Sequence, residues 1–306
     1  MTLAEAVTAA TARLAAAGIE EPRRDARLLV CRLLGGGPEL LLAHPDKPLS
    51  PAEDARVEAA VARRAAREPV SRILGEREFW SLSFALNAAT LDPRPDSETL
   101  VEAVLAEAGA RDDLAAPLRL LDLGTGTGCL LLALLSELPA ARGTGIDISA
   151  QAVAQAAANA AALGLAARAH FLEHSWDAGL EGLDAEPWGA GSWDIIVSNP
   201  PYIVSAEIAG LAPEVAAYDP AAALDGGADG LDAYRALIPA AAAVLKPGGL
   251  LALEIGLGQG AAVEALLRAA GLQPLRRAAD LAGTDRCLLA AKARNGAALA
   301  PAHSRG

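Results

Sequence analysis

The feature that most constrains the fold is an alternation of short apolar runs and helical segments beyond residue 115. The runs "LRLLDLG", "GTGID" and "WDIIVSNP" are typical of buried strands. The segments "CLLLALLSEL" and "SAQAVAQAAANAAALG" have the length and spacing of helices. Because strands that alternate with such helices form parallel sheets, this part of the chain is predicted to be an α/β domain with helices on both faces of a mainly parallel sheet.

The earlier part of the chain has a different pattern. Residues 1–75 are rich in alanine and leucine at helical spacing, with turn signals such as "GGGP" between the segments. Residues 76–92 show alternating apolar positions, which predicts a β-hairpin linker. We therefore predict a small helical bundle over 1–75, the hairpin over 76–92, the α/β domain over 93–293 and a disordered tail over 294–306, which lacks periodicity.

Composition argues against several classes of protein. The net charge is -12, and this acidity counts against duplex DNA as a substrate. The three cysteines are far apart, which favours reduced thiols over disulfides or a zinc site. The start of the chain lacks a basic leader before an apolar run, and no apolar run is long enough to span a membrane. These patterns predict a cytoplasmic protein.

A glycine-rich turn, "LDLGTGTG", follows the first predicted strand of the α/β domain and precedes a helix. Gly124, Gly126 and Gly128 would allow a ligand to approach the backbone, and the helix would present free N–H groups. Asp147 ends the next strand, where a carboxylate can accept hydrogen bonds from ribose hydroxyls. The pair predicts a nucleoside cofactor, either a nicotinamide nucleotide or S-adenosylmethionine, although an incidental glycine turn would have the same pattern.

The stretch "SNPPY" follows another predicted strand at the same edge of the sheet. Pro200 and Pro201 have no N–H and a fixed φ, so the segment is stiff and offers acceptors without competing donors. The Asn199 side-chain oxygen and the Pro200 carbonyl can together accept both protons of one NH2 group, with Tyr202 as an aromatic wall. This arrangement suits methyl transfer to a planar amide or amino nitrogen, although an ordinary loop has the same composition.

The motifs "LDLGTGTG", "GID" and "VSNPPY", in this order, resemble the class I S-adenosylmethionine-dependent methyltransferases that modify NH2 groups. This group has a Rossmann-like α/β fold and includes enzymes acting on DNA adenine, ribosomal RNA guanine and protein glutamine. The stretches "GEREFW" and "PRPDSE", with the helical segment before them and "YDPAAALDGGADGLDAYRALI", are similar to the peptide chain release factor glutamine methyltransferases. Asp92 is a departure, since that family usually has an apolar residue there.

The resemblance implies a cofactor, a substrate and a set of site residues. The cofactor would be S-adenosylmethionine, and the partners would be class I peptide chain release factors, with no direct nucleic-acid substrate and no membrane. Cofactor binding would involve Gly124, Thr125, Gly126, Thr127, Gly128, Asp147, Trp176 and Asn199. Glutamine binding would involve Asn199, Pro200, Pro201 and Tyr202, of which Asn199 and Pro200 would be catalytic. The helical domain would help to dock the release factor.

Several interpretations stay open at this point. A methyltransferase acting on a nucleic-acid base, or a non-catalytic binding module, would be compatible with part of the motifs. Each of the following residues also has an interpretation without a function: Trp176 as packing, Phe79 and Trp80 as hairpin core, Arg94 as a surface ion pair, Glu98 as a first-turn acid and Glu254 as an ionised surface residue. His170 and His174 lack a third ligand nearby, so we predict no metal site.

Overall fold

The computed structural model describes residues 1–181, 183 and 192–294. Almost all of the predicted tail, 294–306, lies outside these residues. The chain divides into two compact units. The helical unit comprises residues 1–77 and 210–219, and the α/β unit comprises 78–209 and the chain from residue 220 onward.

The chain is helical before residue 76, and beyond residue 115 strands and helices mostly alternate. The helices are α1 Leu3–Ala16, α2 Pro22–Leu33, α3 Glu39–Ala43, α4 Pro51–Ala65, α5 Val70–Leu74, α6 Glu98–Ala110, α7 Cys129–Glu137, α8 Ala150–Ala162, α9 Pro213–Ala216, α10 Asp232–Val244 and α11 Gly260–Ala269. The strands are β1 Glu76–Phe79, β2 Leu82–Ala85, β3 Arg119–Leu123, β4 Arg142–Asp147, β5 Ala169–Glu173, β6 Trp193–Ser198, β7 Leu245–Glu254, β8 Leu272–Ala279 and β9 Asp285–Lys292. In the described residues, no helix is long and apolar enough to cross a membrane.

The helical unit is organised by two capped helices. Thr2 and Glu5 form a capping box at the start of α1, and Ser50 and Glu53 form another at the start of α4. Reciprocal hydrogen bonds of this kind satisfy backbone N–H groups that a helix start would otherwise leave unpaired. The apolar faces of α1, α2 and α4 then pack into one core, whose buried members include Leu3, Leu14, Val30 and Val61.

The segment 210–219 joins the helical unit although it is distant in sequence. Arg64, on α4, donates to Glu214 Oε1 over 3.0 Å, and Arg67 donates to Glu214 Oε2 over 2.8 Å. Arg72, on α5, donates to Asp219 Oδ1 over 2.7 Å, and the side chain of Asp219 is only 1% exposed. These charge-assisted hydrogen bonds hold a ten-residue segment whose neighbours in sequence belong to the other unit.

The α/β unit contains a seven-stranded sheet in the order β5-β4-β3-β6-β7-β9-β8. The strands β5, β4, β3, β6 and β7 run parallel to one another, and β9 is antiparallel to both β7 and β8. One apolar cluster packs α6 and α7 on the sheet, and another packs α10 and α11. The predicted α/β class, with a mainly parallel sheet and a helical N-terminal region, is therefore confirmed.

The aromatic residues of the hairpin of β1 and β2 belong to the apolar cluster that packs α6 and α7 on the sheet. Phe79 is 1% exposed and meets Phe84 edge to face, with ring centroids 6.3 Å apart. The two turn residues, Trp80 and Ser81, have φ of 53° and 58°, as a two-residue hairpin turn of type I′ requires. The interpretation of Phe79 as hairpin core is confirmed, whereas Trp80 is half-buried at the turn and its Nε1 donates to Glu137.

The ends of the parallel strands position the candidate site. The strands β3, β4, β6 and β7 end at Leu123, Asp147, Ser198 and Glu254. Carboxyl ends of neighbouring parallel strands meet at one edge of a sheet, and ligands of open α/β sheets bind there. The glycine turn, Asp147 and the "NPPY" loop therefore share one edge.

Candidate active site

The glycine loop between β3 and α7 is a tight turn. Gly124, Gly126 and Gly128 have φ of 74°, 54° and 81°, a region that residues with a Cβ seldom adopt. The N–H groups of Gly124 and Thr125 both donate to the carbonyl of Ile146 over 2.9 Å. These bonds hold the glycine loop against the end of the neighbouring strand, β4.

Two carboxylates lie under and beside the loop. Asp147 accepts from the N–H of Gly126 at Oδ2 and from the N–H of Ser149 at Oδ1, each over 2.9 Å. Asp122 is buried on β3 and accepts from the Thr125 hydroxyl over 2.6 Å. Burial raises the pKa of Asp122 to about 7, the Thr125 hydrogen bond opposes that rise, and the negative charge of Asp147 adds to it.

The "NPPY" loop leaves β6 and is held at several points. Ser198 donates to the carbonyl of Leu123 over 2.7 Å, and this bond ties the end of β6 to the end of β3. The Asn199 side-chain Nδ2 donates to the Ser97 hydroxyl over 3.2 Å. The Tyr202 hydroxyl donates to Glu254 Oε1 over 3.2 Å. The loop is thus fixed on both sides of its two prolines.

A cavity of about 230 Å³ opens at this edge of the sheet. Of the predicted site residues, it is lined by Gly124, Thr125, Gly126, Thr127, Asp147, Trp176, Asn199 and Pro201. Gly128, Pro200 and Tyr202 do not line it: Gly128 precedes the first residue of α7, Pro200 is buried, and the Tyr202 hydroxyl points to Glu254. The structure therefore places the glycine loop, the carboxylate and the asparagine around one space.

Trp176 lies against the glycine loop. A Cβ added at Gly124 would be 3.3 Å from the Trp176 ring atom Cζ3, so the indole covers the backbone of the loop directly. The ring also packs on the apolar cluster of α10 and α11. Trp176 therefore both lines the cavity with an aromatic face and packs on the apolar core.

Other lining residues were not predicted from the sequence as site residues. They are Ala89, Leu91, Pro93, Arg94, Ser97, Cys129, Leu130, Ile148, Ser149, Pro220, Ala222 and Ala223. Those from residues 89 to 97 include part of "PRPDSE", and the last three belong to "YDPAAALDGG". Both stretches carried the family resemblance. That resemblance was the only signal in the sequence that could have indicated the lining residues within them.

Several residues with open interpretations now have defined surroundings. Arg94 pairs with Asp92 over 3.8 Å, and Asp92 is 3% exposed, so the departure from an apolar residue buries a carboxylate beside a guanidinium. Glu98 does more than begin α6, since its carboxylate accepts from the Trp80 N–H over 2.7 Å. Glu254 is 2% exposed, so its interpretation as a surface residue is wrong. Glu254 is the last residue of β7, and the Tyr202 hydroxyl donates to its carboxylate.

The two histidines have separate surroundings. The His174 Nε2 lies 2.7 Å from the carbonyl oxygen of Gly179. In the part of the chain that the structure describes, no group of three or more His, Cys, Asp and Glu residues could hold a metal ion.

Comparisons with known proteins match both units. Residues 5–75 match the family model described as the PrmC N-terminal domain, and residues 115–261 match one described as a methyltransferase domain. The chain is 53% identical to the release factor glutamine methyltransferase of Rhodospirillum rubrum, over 95% of this chain and 85% of that protein. It is 50% identical to that of Cereibacter sphaeroides, over 95% and 98% respectively. Among solved structures, the hMettl16 catalytic domain in complex with an RNA hairpin matches 80% of this chain and 84% of its own, with a TM-score of 0.54 and 13% identity, a likeness of fold alone.

Proposed function

The chain belongs to the family of release factor glutamine methyltransferases, and we propose from this premise that it methylates class I peptide chain release factors. The acceptor is the side-chain amide nitrogen of the glutamine in the Gly-Gly-Gln tip. That nitrogen gains a methyl group and releases one proton, so the products are N5-methylglutamine, S-adenosylhomocysteine and a proton. S-adenosylmethionine, when bound, supplies an electrophilic methyl group on a positively charged sulfur.

The observation that supports this proposal best is the shared cavity. The glycine loop and Asp147 are suited to a nucleoside cofactor, and Asn199 is a hydrogen-bonding amide at the wall of the same space. Methyl transfer requires the donor and the acceptor nitrogen to lie close together and in line. A single cavity with both kinds of group can hold the two reactants in that arrangement.

The residues that surround the cavity fit the cofactor. At Gly124 a Cβ would lie 3.3 Å from the Trp176 ring, so glycine lets the indole lie directly on the loop. We assign the methionine end of the cofactor to residues 124–128, the ribose to Asp147 and the adenine to Trp176. A carboxylate can accept both ribose hydroxyls, and an indole offers a flat apolar face to a base.

The acceptor nitrogen of an amide is planar and poorly nucleophilic, so the protein must orient it. We assign this task to the Asn199 side-chain oxygen and the Pro200 carbonyl, which would accept the two amide protons. Pro201 has no N–H to compete for these acceptors, and Tyr202 holds the loop through its hydroxyl bond to Glu254. The amide proton can leave after the methyl group has arrived, so a strong base is not required before the attack.

We further propose that the two predicted domains divide the task. The helical domain predicted over 1–75 docks the release factor, and the domain predicted over 93–293 binds the cofactor and the glutamine. Because translation termination takes place in the cytoplasm, the enzyme would act there. We expect no direct contact with a nucleic-acid substrate, in keeping with the net charge of -12.

The test is a transfer assay with S-adenosylmethionine labelled on its methyl group. The purified protein is incubated with a class I release factor, with the same factor carrying alanine in place of the Gly-Gly-Gln glutamine, and with ribosomal RNA or DNA. We expect label in the unaltered release factor alone. Label in nucleic acid, or equal label in the alanine-substituted factor, would contradict the proposal.

A further inference from the structure

A buried carboxylate lies behind the wall of the cavity. Glu254 is the last residue of β7 and is 2% exposed. Its Oε1 accepts from the Tyr202 hydroxyl over 3.2 Å, and its backbone carbonyl accepts from the Tyr234 hydroxyl over 2.9 Å. Its Oε2 is buried and has no hydrogen-bond partner at good geometry among the described residues. Burying an acceptor without a partner costs free energy, so its presence here calls for an explanation.

Ser97 connects this carboxylate to the cavity. Its side chain is buried in the turn just before α6, and it lines the cavity while Glu254 does not. Its oxygen accepts from Asn199 Nδ2 over 3.2 Å. Its hydroxyl also interacts with the Glu254 carboxyl and lowers the pKa of that group. The bond from Tyr202 goes to Oε1, and Oε2 has no partner at good geometry among the described residues.

The direction of each hydrogen bond decides how Asn199 is presented. A hydroxyl has one proton to donate and two lone pairs to accept with. When Glu254 is ionised, it can only accept, so the Ser97 proton points at the carboxylate and a lone pair of Ser97 is left for the Asn199 NH2 group. The Asn199 oxygen is then on the other side of the amide, available to accept a proton of the substrate.

Protonation of Glu254 would reverse the directions of these hydrogen bonds. A protonated carboxyl can donate to Ser97, whose own proton is then free to turn toward the asparagine. Ser97 would compete as a donor, and the asparagine amide would be stabilised with its oxygen toward Ser97 and its NH2 group toward the substrate. The Asn199 NH2 group would then face the NH2 group of the acceptor glutamine. Both are donors, so the hydrogen bond that orients the glutamine could not form.

We propose that Glu254 is a positioning residue that acts through Ser97 to set which end of the Asn199 amide faces the acceptor glutamine, and through Tyr202 to hold the "NPPY" loop. This inference rests on the proposed function, since it concerns the amide that would receive the glutamine. Glu254 itself does not line the cavity, so it acts only through its two neighbours.

The surroundings of Glu254 predict a dependence on pH. Burial raises its pKa to about 7, while hydrogen bonds from Ser97 and Tyr202 and the positive charge of Arg286 lower it. The titratable or charged groups that interact with it are Tyr202, Tyr234, Asp96, Arg286, Cys129 and Cys287. Since the ionised form is the one that orients Asn199, the rate of transfer is expected to rise with pH around 7 and to be lost at lower pH. This rising part of the pH–rate profile is the limb near 7.

The decisive variant is Glu254→Gln, which keeps the shape of the side chain and removes its charge. Initial rates are measured from pH 5.5 to 9 with both substrates well below saturation, so that the profile of kcat/KM reports the free enzyme, and full saturation curves at pH 8 give kcat and KM. We expect kcat at pH 8 to fall by about 10- to 100-fold, the size of one misplaced hydrogen bond in the transition state, and the limb near 7 to disappear. The KM for S-adenosylmethionine should stay unchanged.

Three further variants distinguish positioning from mere support of the fold. Ser97→Ala keeps the carboxylate but removes the link, so it should lose the same limb, and combining it with Glu254→Gln should cost no more than either change alone. Tyr202→Phe removes only the direct bond to Glu254 and should keep the limb. Glu102→Gln makes the same chemical change at an exposed position on α6 and should behave as the unaltered enzyme.

A spectroscopic readout makes the inference testable apart from the transfer assay. The side-chain NH2 resonances of Asn199 should shift with an apparent pKa near 7 in the unaltered protein and should not shift in Glu254→Gln. If the enzyme methylates release factors but Glu254→Gln keeps its turnover and its limb, the inference fails and the proposed function stands. If the unaltered enzyme transfers no methyl group while the resonances titrate as expected, the proposed function fails and the orientation of Asn199 by Glu254 stands.

Discussion

Removing the Glu254 charge should stabilise the protein at alkaline pH while it lowers turnover. The carboxyl has its ordinary pKa of 4.5 when the chain is unfolded and about 7 when it is buried. A shift of one unit corresponds to about 1.4 kcal/mol, so the raised value means that ionisation destabilises the native state by about 3 kcal/mol. Because the folded pKa is raised, this contribution to stability is fully present below pH 4.5 and is lost as the pH rises to about 7.

The assay is urea unfolding of the unaltered protein and of Glu254→Gln at pH 4.5, 6, 7 and 8.5. The variant should have the larger free energy of unfolding at pH 8.5, by roughly 2–3 kcal/mol, and this advantage should shrink toward zero at pH 4.5. Asp122 also has a pKa near 7, but it is present in both proteins and cancels in the difference. A variant that is no more stable at pH 8.5, or whose advantage does not depend on pH, would refute the reasoning.

Three other predictions concern the cavity and the helical unit. Asn199→Ala should abolish transfer, a loss of about 10²-fold or more, because the lost acceptor acts on the glutamine. S-adenosylmethionine binding, measured by calorimetry, should stay intact. Unchanged turnover would remove Asn199 from the mechanism. Trp176→Ala should weaken cofactor binding by roughly 10-fold, measured the same way, whereas Trp176→Phe keeps an aromatic face and should bind nearly normally. Asp219→Ala should destabilise the helical unit by about 3–5 kcal/mol in urea unfolding, because it leaves the Arg72 guanidinium buried without its carboxylate. The exposed Glu58→Gln, its control, should cost less than about 1 kcal/mol, and equal losses would contradict the argument.

The parts of the site that could be predicted from the sequence are those fixed by strand ends. Gly124 and Asn199 each follow a strand and Asp147 ends one, and the carboxyl ends of parallel strands meet at one edge whatever the details of packing. Their order along the chain and the pattern of apolar runs were therefore sufficient to bring them together.

The parts that could not be predicted depend on partners that are distant in sequence. Ser97 meets Asn199 across 102 residues, and Arg64 meets Glu214 across 150. Periodicity reports only which face of an element is apolar, so it gives no sign of such pairs. Glu254 is the clearest example: its position at a strand end was evident, but its burial depends on Tyr202, which arrives from another loop.

The segment 210–219 has a consequence for how this protein could have been assembled during evolution. The chain leaves the α/β unit after Ala209 and returns at Pro220, so the helical unit is built from two stretches that are separated in sequence by residues 78–209. A gene fusion that transferred only the first 77 residues to another methyltransferase would arrive without Glu214 and Asp219, and Arg64 and Arg72 would be left without these acidic partners. The two stretches are therefore expected to be inherited together, and a change in one should select for a matching change in the other.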